Sequence, residues 1–154
     1  MTVQRDELYA ALGSEIHAFA AKLFRDAEQQ VRMQGGFFPT AGILDGAGRT
    51  GIVVSTSERH PASMEKEHVR LLYDIQRLVA EDDTITAVAT IDWISMSGAG
   101  QTEQPAIKVH VHHRRGLAVV FYSPANRGSA GEWSFGDLIA RVGGPLVVGW
   151  AITR

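Results

Sequence analysis

Apolar side chains recur every three or four residues along the N-terminal stretch. Leu8, Leu12, Ile16, Phe19, Leu23, Ala27 and Val31 make one stripe of an amphipathic helix. Arg5, Asp6, Glu15, Lys22, Arg25, Asp26, Gln29 and Arg32 fall mostly off that stripe. Gly35-Gly36 ends the helix, because glycine enters the left-handed C-terminal cap at little cost. From about residue 5 to 33 such a helix runs about 43 Å, more than the ~30 Å width of a small domain. Either Gly13 breaks it, or one end projects and needs a partner.

The next segment changes period. Phe37 to Leu44, a turn at Asp45-Gly46-Ala47-Gly48-Arg49, and the β-branched run from Thr50 to Ser55 predict a hairpin. Pro39 cannot donate to a ladder, so the first strand begins there or lies at an edge. His60-Pro61-Ala62-Ser63 opens a second helix, with Glu65 and Glu67 near its positive end. Met64, His68, Leu71, Leu72, Ile75, Leu78 and Val79 form its apolar stripe, and Glu81-Asp82-Asp83 closes it. Thr84 to about Met96 alternates as a long strand. Ile85, Ala87, Ala89, Ile91 and Trp93 share one face, and Thr86, Val88, Thr90, Asp92 and Ile94 the other. A loop over Ser97 to Glu103 leads to strands over Ala106–His113 and Leu117–Ser123, joined at Arg114-Arg115-Gly116. In the tail, Phe135 to Val142 reads as a short helix and Leu146 to Ile152 as a final strand. Trp133, Phe135 and Trp150 are the side chains expected to dock it.

Hairpin-length connections imply antiparallel pairing, so the class is α+β. The expected architecture is one domain over 1–154, with an antiparallel sheet of about five to six strands. A long N-terminal helix and a second helix pack on it. The core spans about 5–124, and 125–154 is a C-terminal αβ extension. The chain length of 154 residues agrees with a single domain. With 45% hydrophobic and 21% charged residues, the chain can bury a real core and is too apolar to be disordered.

A formal charge of −2 offers no electrostatic attraction for nucleic acid or an anionic membrane. No apolar run approaches the ~20 residues of a membrane span, and the N-terminus lacks the apolar core of a signal peptide. The expected location is cytoplasmic. The absence of cysteine excludes disulfides, thiolate nucleophiles and cysteine-based metal sites. Twelve arginines against three lysines, with abundant Ala and Gly, suggest a GC-rich bacterial gene.

Three motif matches dissolve on their context. Gly46-Ala47-Gly48-Arg49-Thr50-Gly51 spells the dinucleotide fingerprint, but a strand follows it where a helix is required. Ser63-Met64-Glu65-Lys66 spells the SxxK of penicillin-recognising enzymes without their other elements, and Ser63 reads as a helix cap. Glu65-x-x-His68 has di-iron spacing, but those sites need two such motifs, and His68 reads as a hydrogen-bonded core or interface histidine. The remaining constellation is Lys108-Val109-His110-Val111-His112-His113. Lys108, His110 and His112 share a strand face, and two imidazoles at i, i+2 can reach one metal ion with Asp92 as third ligand. The plain alternative is a solvated face rich in histidine. No metal and no cofactor are expected, since two ligands are too few for a catalytic zinc.

One resemblance rests on two segments. Phe37, Phe38, Pro39, Leu44, Asp45 and Gly48 match an aromatic-aromatic-Pro…LDxxG pattern. Val109, His113, Arg114, Gly116, Ala118 and Pro124 match a V…HRxGxA…P strand. Over residues 35 to 124 the chain therefore resembles a group of small uncharacterised bacterial α+β proteins, which implies a fold and no reaction. Its element order also resembles the roadblock/longin layout, a five-stranded antiparallel sheet with flanking helices that commonly dimerises.

The expected function is a non-catalytic homodimeric interaction or scaffold module with a possible protein partner. Leu12, Phe19, Leu72 and Val79 are its candidates for core or interface. The alternative is a small-molecule or metal-binding protein, or an enzyme, using Asp92, His110 and His112.

Overall fold

The computed structural model describes residues 2–53, 64–96 and 103–153. Its elements are α1 (Thr2–Gln34), β1 (Thr40–Asp45), β2 (Thr50–Val53), α2 (Met64–Glu81), β3 (Ile85–Met96), β4 (Gln104–His113), β5 (Ala118–Arg127), β6 (Trp133–Phe135) and β7 (Ile139–Val142). The class is α+β, as the hairpin-length connections imply. One sheet runs β2-β1-β3-β4-β5-β6, with β7 also on β5, and every pairing is antiparallel. The helix opening expected at residues 60–63, the Ser63 cap and most of the loop at 97–103 lie outside the described residues.

Helix α1 runs through Gly13 without a break. Gly35, at φ +77°, ends it in the left-handed conformation, and its N–H closes on the Val31 carbonyl at 2.8 Å. The 33 residues span about 50 Å at 1.5 Å per residue. The fully buried stripe begins only at Leu12, and Arg5 to Ala11 contribute no fully buried side chain. The helix is thus unbroken, and its described residues 5–11 are lightly packed.

The sheet is covered on both faces. Toward α1, Leu12, Ile16, Phe19, Leu23, Ala27 and Val31 pack on Leu44, Ala87, Ala89, Ile91, Ile107, Val109, Val111, Val119 and Phe121. Gly42 lets Leu23 settle on β1, since a Cβ there would lie 2.8 Å from a Leu23 methyl. Toward α2, Leu71 and Ile75 pack with Ala41, Ile85, Val88, Leu146 and Val147. This two-sided cover explains why β3 is buried along most of its length on both faces rather than on one. Of the four core or interface candidates, Leu12 and Phe19 are spent inside the chain, under α1. Leu72 and Val79 are half-buried against the α2-side core.

The β1–β2 turn is organised by Asp45. One carboxylate oxygen accepts the Ala47 and Arg49 N–H groups at 2.9 Å each, and the other accepts Arg49 Nε at 2.9 Å. The Arg49 backbone N–H is the largest influence holding this carboxyl below its ordinary range. Gly48 takes φ +81°, so the GxGxxG string is a hairpin turn and the start of β2.

The tail departs from the αβ reading. Phe135 to Val142 is not a helix, because β5 has an outer edge whose backbone groups need partners. The chain pairs there twice, with Phe135 opposite Ala125 and Val142 opposite Val119. Residues 146–152 form turns rather than a strand. Trp133 and Phe135 pack against the α1-side core and Trp150 against the α2-side core.

Phe19 is 2% exposed, so Phe19→Ala is expected to cost about 3–5 kcal/mol through lost contacts and a residual cavity. Urea unfolding measures this, and a loss under ~1 kcal/mol would mean that the α1 stripe does not form the core.

Candidate functional site

Alternation along β4 sends Ile107, Val109 and Val111 toward α1 and Lys108, His110 and His112 toward α2. Register places Thr90 opposite His110 and Asp92 opposite Lys108. The residues singled out from the sequence therefore share one sheet face. What they do there differs from both readings, metal site and solvated face, because residues 143–151 lie over them.

His112 is fully buried. Its Nδ1 accepts the N–H groups of Leu146 and Val147, at 3.1 and 3.3 Å. With that lone pair occupied, the ring proton sits on Nε2 and is donated to the Ala151 carbonyl at 3.0 Å. The Trp150 ring meets the imidazole edge-on at 5.4 Å. His110 Nε2 donates to the Gly144 carbonyl at 2.8 Å. Gly143 permits this approach, since a Cβ there would stand 2.9 Å from His110 Nε2 and 3.1 Å from the Ala118 backbone.

The helix side completes the clamp. Gln76 donates to the Leu146 carbonyl at 2.6 Å and accepts the Val148 N–H at 2.9 Å. Beyond it, the Thr153 N–H reaches the Gly116 carbonyl at 2.8 Å, and the Arg114 guanidinium lies 5.2 Å from the Trp150 ring centre. A tail with no ladder of its own is thus satisfied group by group.

This placement bears on metal binding. A metal takes an imidazole lone pair, and the one on His112 is already held by two backbone donors. Asp92 turns to α2, where its Oδ1 lies 2.9 Å from His68 Nδ1. Among the described residues no group of three His, Asp or Glu side chains is arranged to hold a metal ion.

His68 is the polar residue of the α2 stripe, and its partner lies 24 positions away on β3. The Asp92 hydrogen bond raises its pKa above the ordinary imidazole value, against the opposing effect of burial. Asp92 is itself buried, as are Glu67, next to His68 in sequence, and Thr90, two positions before Asp92 on β3. One oxygen of each, Glu67 Oε2, Thr90 Oγ1 and Asp92 Oδ2, has no hydrogen-bond partner, while Glu67 Oε1 accepts Arg70 at 3.1 Å. A carboxylate on one imidazole nitrogen is half of a proton-transfer triad. Among the described residues no nucleophile is hydrogen-bonded to the other nitrogen. His113 faces the opposite way, with Nε2 3.4 Å from Glu15 on α1.

Two surface features lay outside the sequence reading. A groove of about 520 Å³ runs between the C-terminal half of α1 and β1–β2. Leu23, Ala27 and Ile91 lie on its apolar side, and Asp26, Gln30 and Gln34 line it from α1. On the outer side of α2, Lys66, Val69, Arg70, Tyr73 and Asp74 line a shallow open depression. The first joins positions far apart in sequence. The second was legible in principle as an apolar pair one turn apart on the polar side of a helix.

Together these features define a class: an antiparallel sheet closed by helices on both faces, with its C-terminal segment pinned by buried histidines. Within that class no particular relative is found. No family model matches the chain, and neither a curated protein nor a solved structure gives a significant match. No helix among the described residues is long and apolar enough to cross a membrane.

The histidines set an expected pH dependence. Burial is the leading cause that lowers His110, His112 and His113 in the folded chain. Unfolded imidazoles bind protons near the ordinary value of 6.5. Their contribution is therefore complete above that value and is lost as pH falls through it toward the depressed folded values. His68, raised by Asp92, acts oppositely, with its contribution lost as pH rises through its folded value. With three groups against one, unfolding free energy is expected to fall on acidification below 6.5. His112→Ala should flatten that slope and cost on the order of 1–3 kcal/mol for each stranded tail N–H. Urea titrations across pH, with limited proteolysis of residues 143–153, check both; a pH-independent midpoint would contradict them.

Proposed function

We propose that the protein is a non-catalytic interaction module that works as a homodimer through the outer side of α2. The observation that carries this reading is the exposure of that side. Val69 and Tyr73, one helical turn apart, are 59% and 71% exposed. Val148, 88% exposed, lies on the tail and donates its backbone N–H to Gln76, three positions beyond Tyr73 on α2. Large apolar side chains gathered on one face mark an interaction surface more often than isolated ones do. Tyr73→Asp adds a charge to this patch without touching the core. Light scattering after gel filtration is expected to give a dimer for the wild type and a monomer for Tyr73→Asp. A wild type that stays monomeric at about 100 μM would refute the dimer.

A second reading, binding of a small molecule, is favoured by the groove between α1 and β1–β2, whose ~520 Å³ lies within the range of ligand pockets. It replaces the His110–His112 face, where both nitrogens of His112 and Nε2 of His110 are hydrogen-bonded to the tail. No Lys, Arg or His lines the groove among the described residues and Asp26 does, so it disfavours anions, while Gln30 and Gln34 offer amide partners to a ring bearing an amide. Titration with 2-naphthamide, followed by amide chemical shifts, is expected to perturb Gln30 and Gln34 and to fail in Gln30→Trp. No perturbation at the solubility limit of the probe would count against it.

A further inference from the structure

The depression on α2 carries more than exposed apolar surface. Lys66 and Asp74 stand four residues on either side of Arg70, and all three line it with Val69 and Tyr73. Arg70 is held to Glu67 by a 3.1 Å ion pair, so among the residues lining the depression Lys66 and Asp74 carry the charges at its two ends, with exposed Arg77 one turn beyond Tyr73 and outside it. A two-fold axis beside Arg70 makes this pattern self-complementary. Two copies of α2 laid antiparallel bring Lys66 of each opposite Asp74 of the other. A parallel pairing would set lysine against lysine and aspartate against aspartate. Isologous contacts need this property, residue i meeting j while j meets i.

The apolar side chains agree with the same placement. On a helix at 3.6 residues per turn, Tyr73 lies opposite the buried line through Leu71, Ile75 and Leu78, with Lys66 and Val69 on either side of it. Antiparallel pairing about Arg70 sets Tyr73 of one copy over Val69 and the alkyl stem of Lys66 in the other. Helix α2 has 18 residues and is about 27 Å long. Such a contact is small and calls for a weak, reversible association.

We infer that the partner of the α2 face is a second copy of this chain, docked antiparallel about Arg70 with two Lys66–Asp74 pairs across the axis. This inference rests on the dimer reading above and adds the register and the charges that select it.

Charge reversal tests it. Lys66→Asp and Asp74→Lys each place like charges at both ends of the contact, and each is expected to weaken self-association about tenfold. The double variant Lys66→Asp/Asp74→Lys restores the pairs and should recover dimerisation. Mixing the two single variants creates opposite charges at both ends only in the mixed dimer. Native mass spectrometry of that mixture is therefore expected to show heterodimers well above the statistical half. Both positions are partly or fully exposed, so unfolding midpoints should stay close to wild type. Single reversals that leave the dimer unchanged, or a mixture with no heterodimer excess, would overturn the register while the dimer stands. A monomeric wild type would overturn both.

Discussion

A sheet apolar on both faces cannot leave either one wet, and the rest of this structure follows from that constraint. Toward one face β4 presents Ile107, Val109 and Val111, and α1 covers them along its buried stripe. Toward the other, Ala41, Ile85 and Val88 need cover as well. Helix α2 supplies Leu71 and Ile75 and roofs only part of that surface. Leu146 and Val147 complete it, which obliges the chain to return over the sheet after β7 without a ladder to satisfy its backbone.

The buried histidines answer that obligation. An irregular segment pressed on an apolar face exposes N–H and carbonyl groups to a place without water, at a cost of one to several kcal/mol for each unpaired group, on the order given for buried polar atoms. Neutral imidazole can accept with one nitrogen and donate with the other, so His112 bonds Leu146, Val147 and Ala151 at once. His110 and Gln76 do the same for Gly144, Leu146 and Val148. Side chains that read as metal ligands in the sequence thereby hold the tail to the sheet. Asp92, read as the third ligand, has a different partner in His68 and orders α2 against β3.

With the histidine face occupied by the chain itself, the surfaces left for other molecules are on the periphery. The outer side of α2 and the α1–β1/β2 groove are both products of how the helices sit on the sheet. On α2 the inward stripe is consumed by the core, and the outward Val69 and Tyr73 remain. An interaction module needs only such a face with a distinctive pattern of charge around it, and no catalytic group is required behind it.

Local pattern along the chain was enough to determine the class, the two helices, the hairpin around Asp45 and the three long strands. Each rests on a period of 3.6 or 2 sustained over many residues, or on turn chemistry at fixed positions. It also determined which of Lys108 to His113 share a face, because alternation is a property of the strand alone. The tail resisted the same treatment. Phe135 to Val142 carries no period strong enough to oppose an unpaired sheet edge, so β5 rather than local propensity decided that it would be strand. The roles of His68, Asp92, His110 and His112 were decided later still, by partners 24 to 39 positions away. Spacing in sequence shows which side chains can face the same way. Only the packed chain decides what stands opposite them, and for an imidazole with one lone pair and one proton that neighbour settles the chemistry.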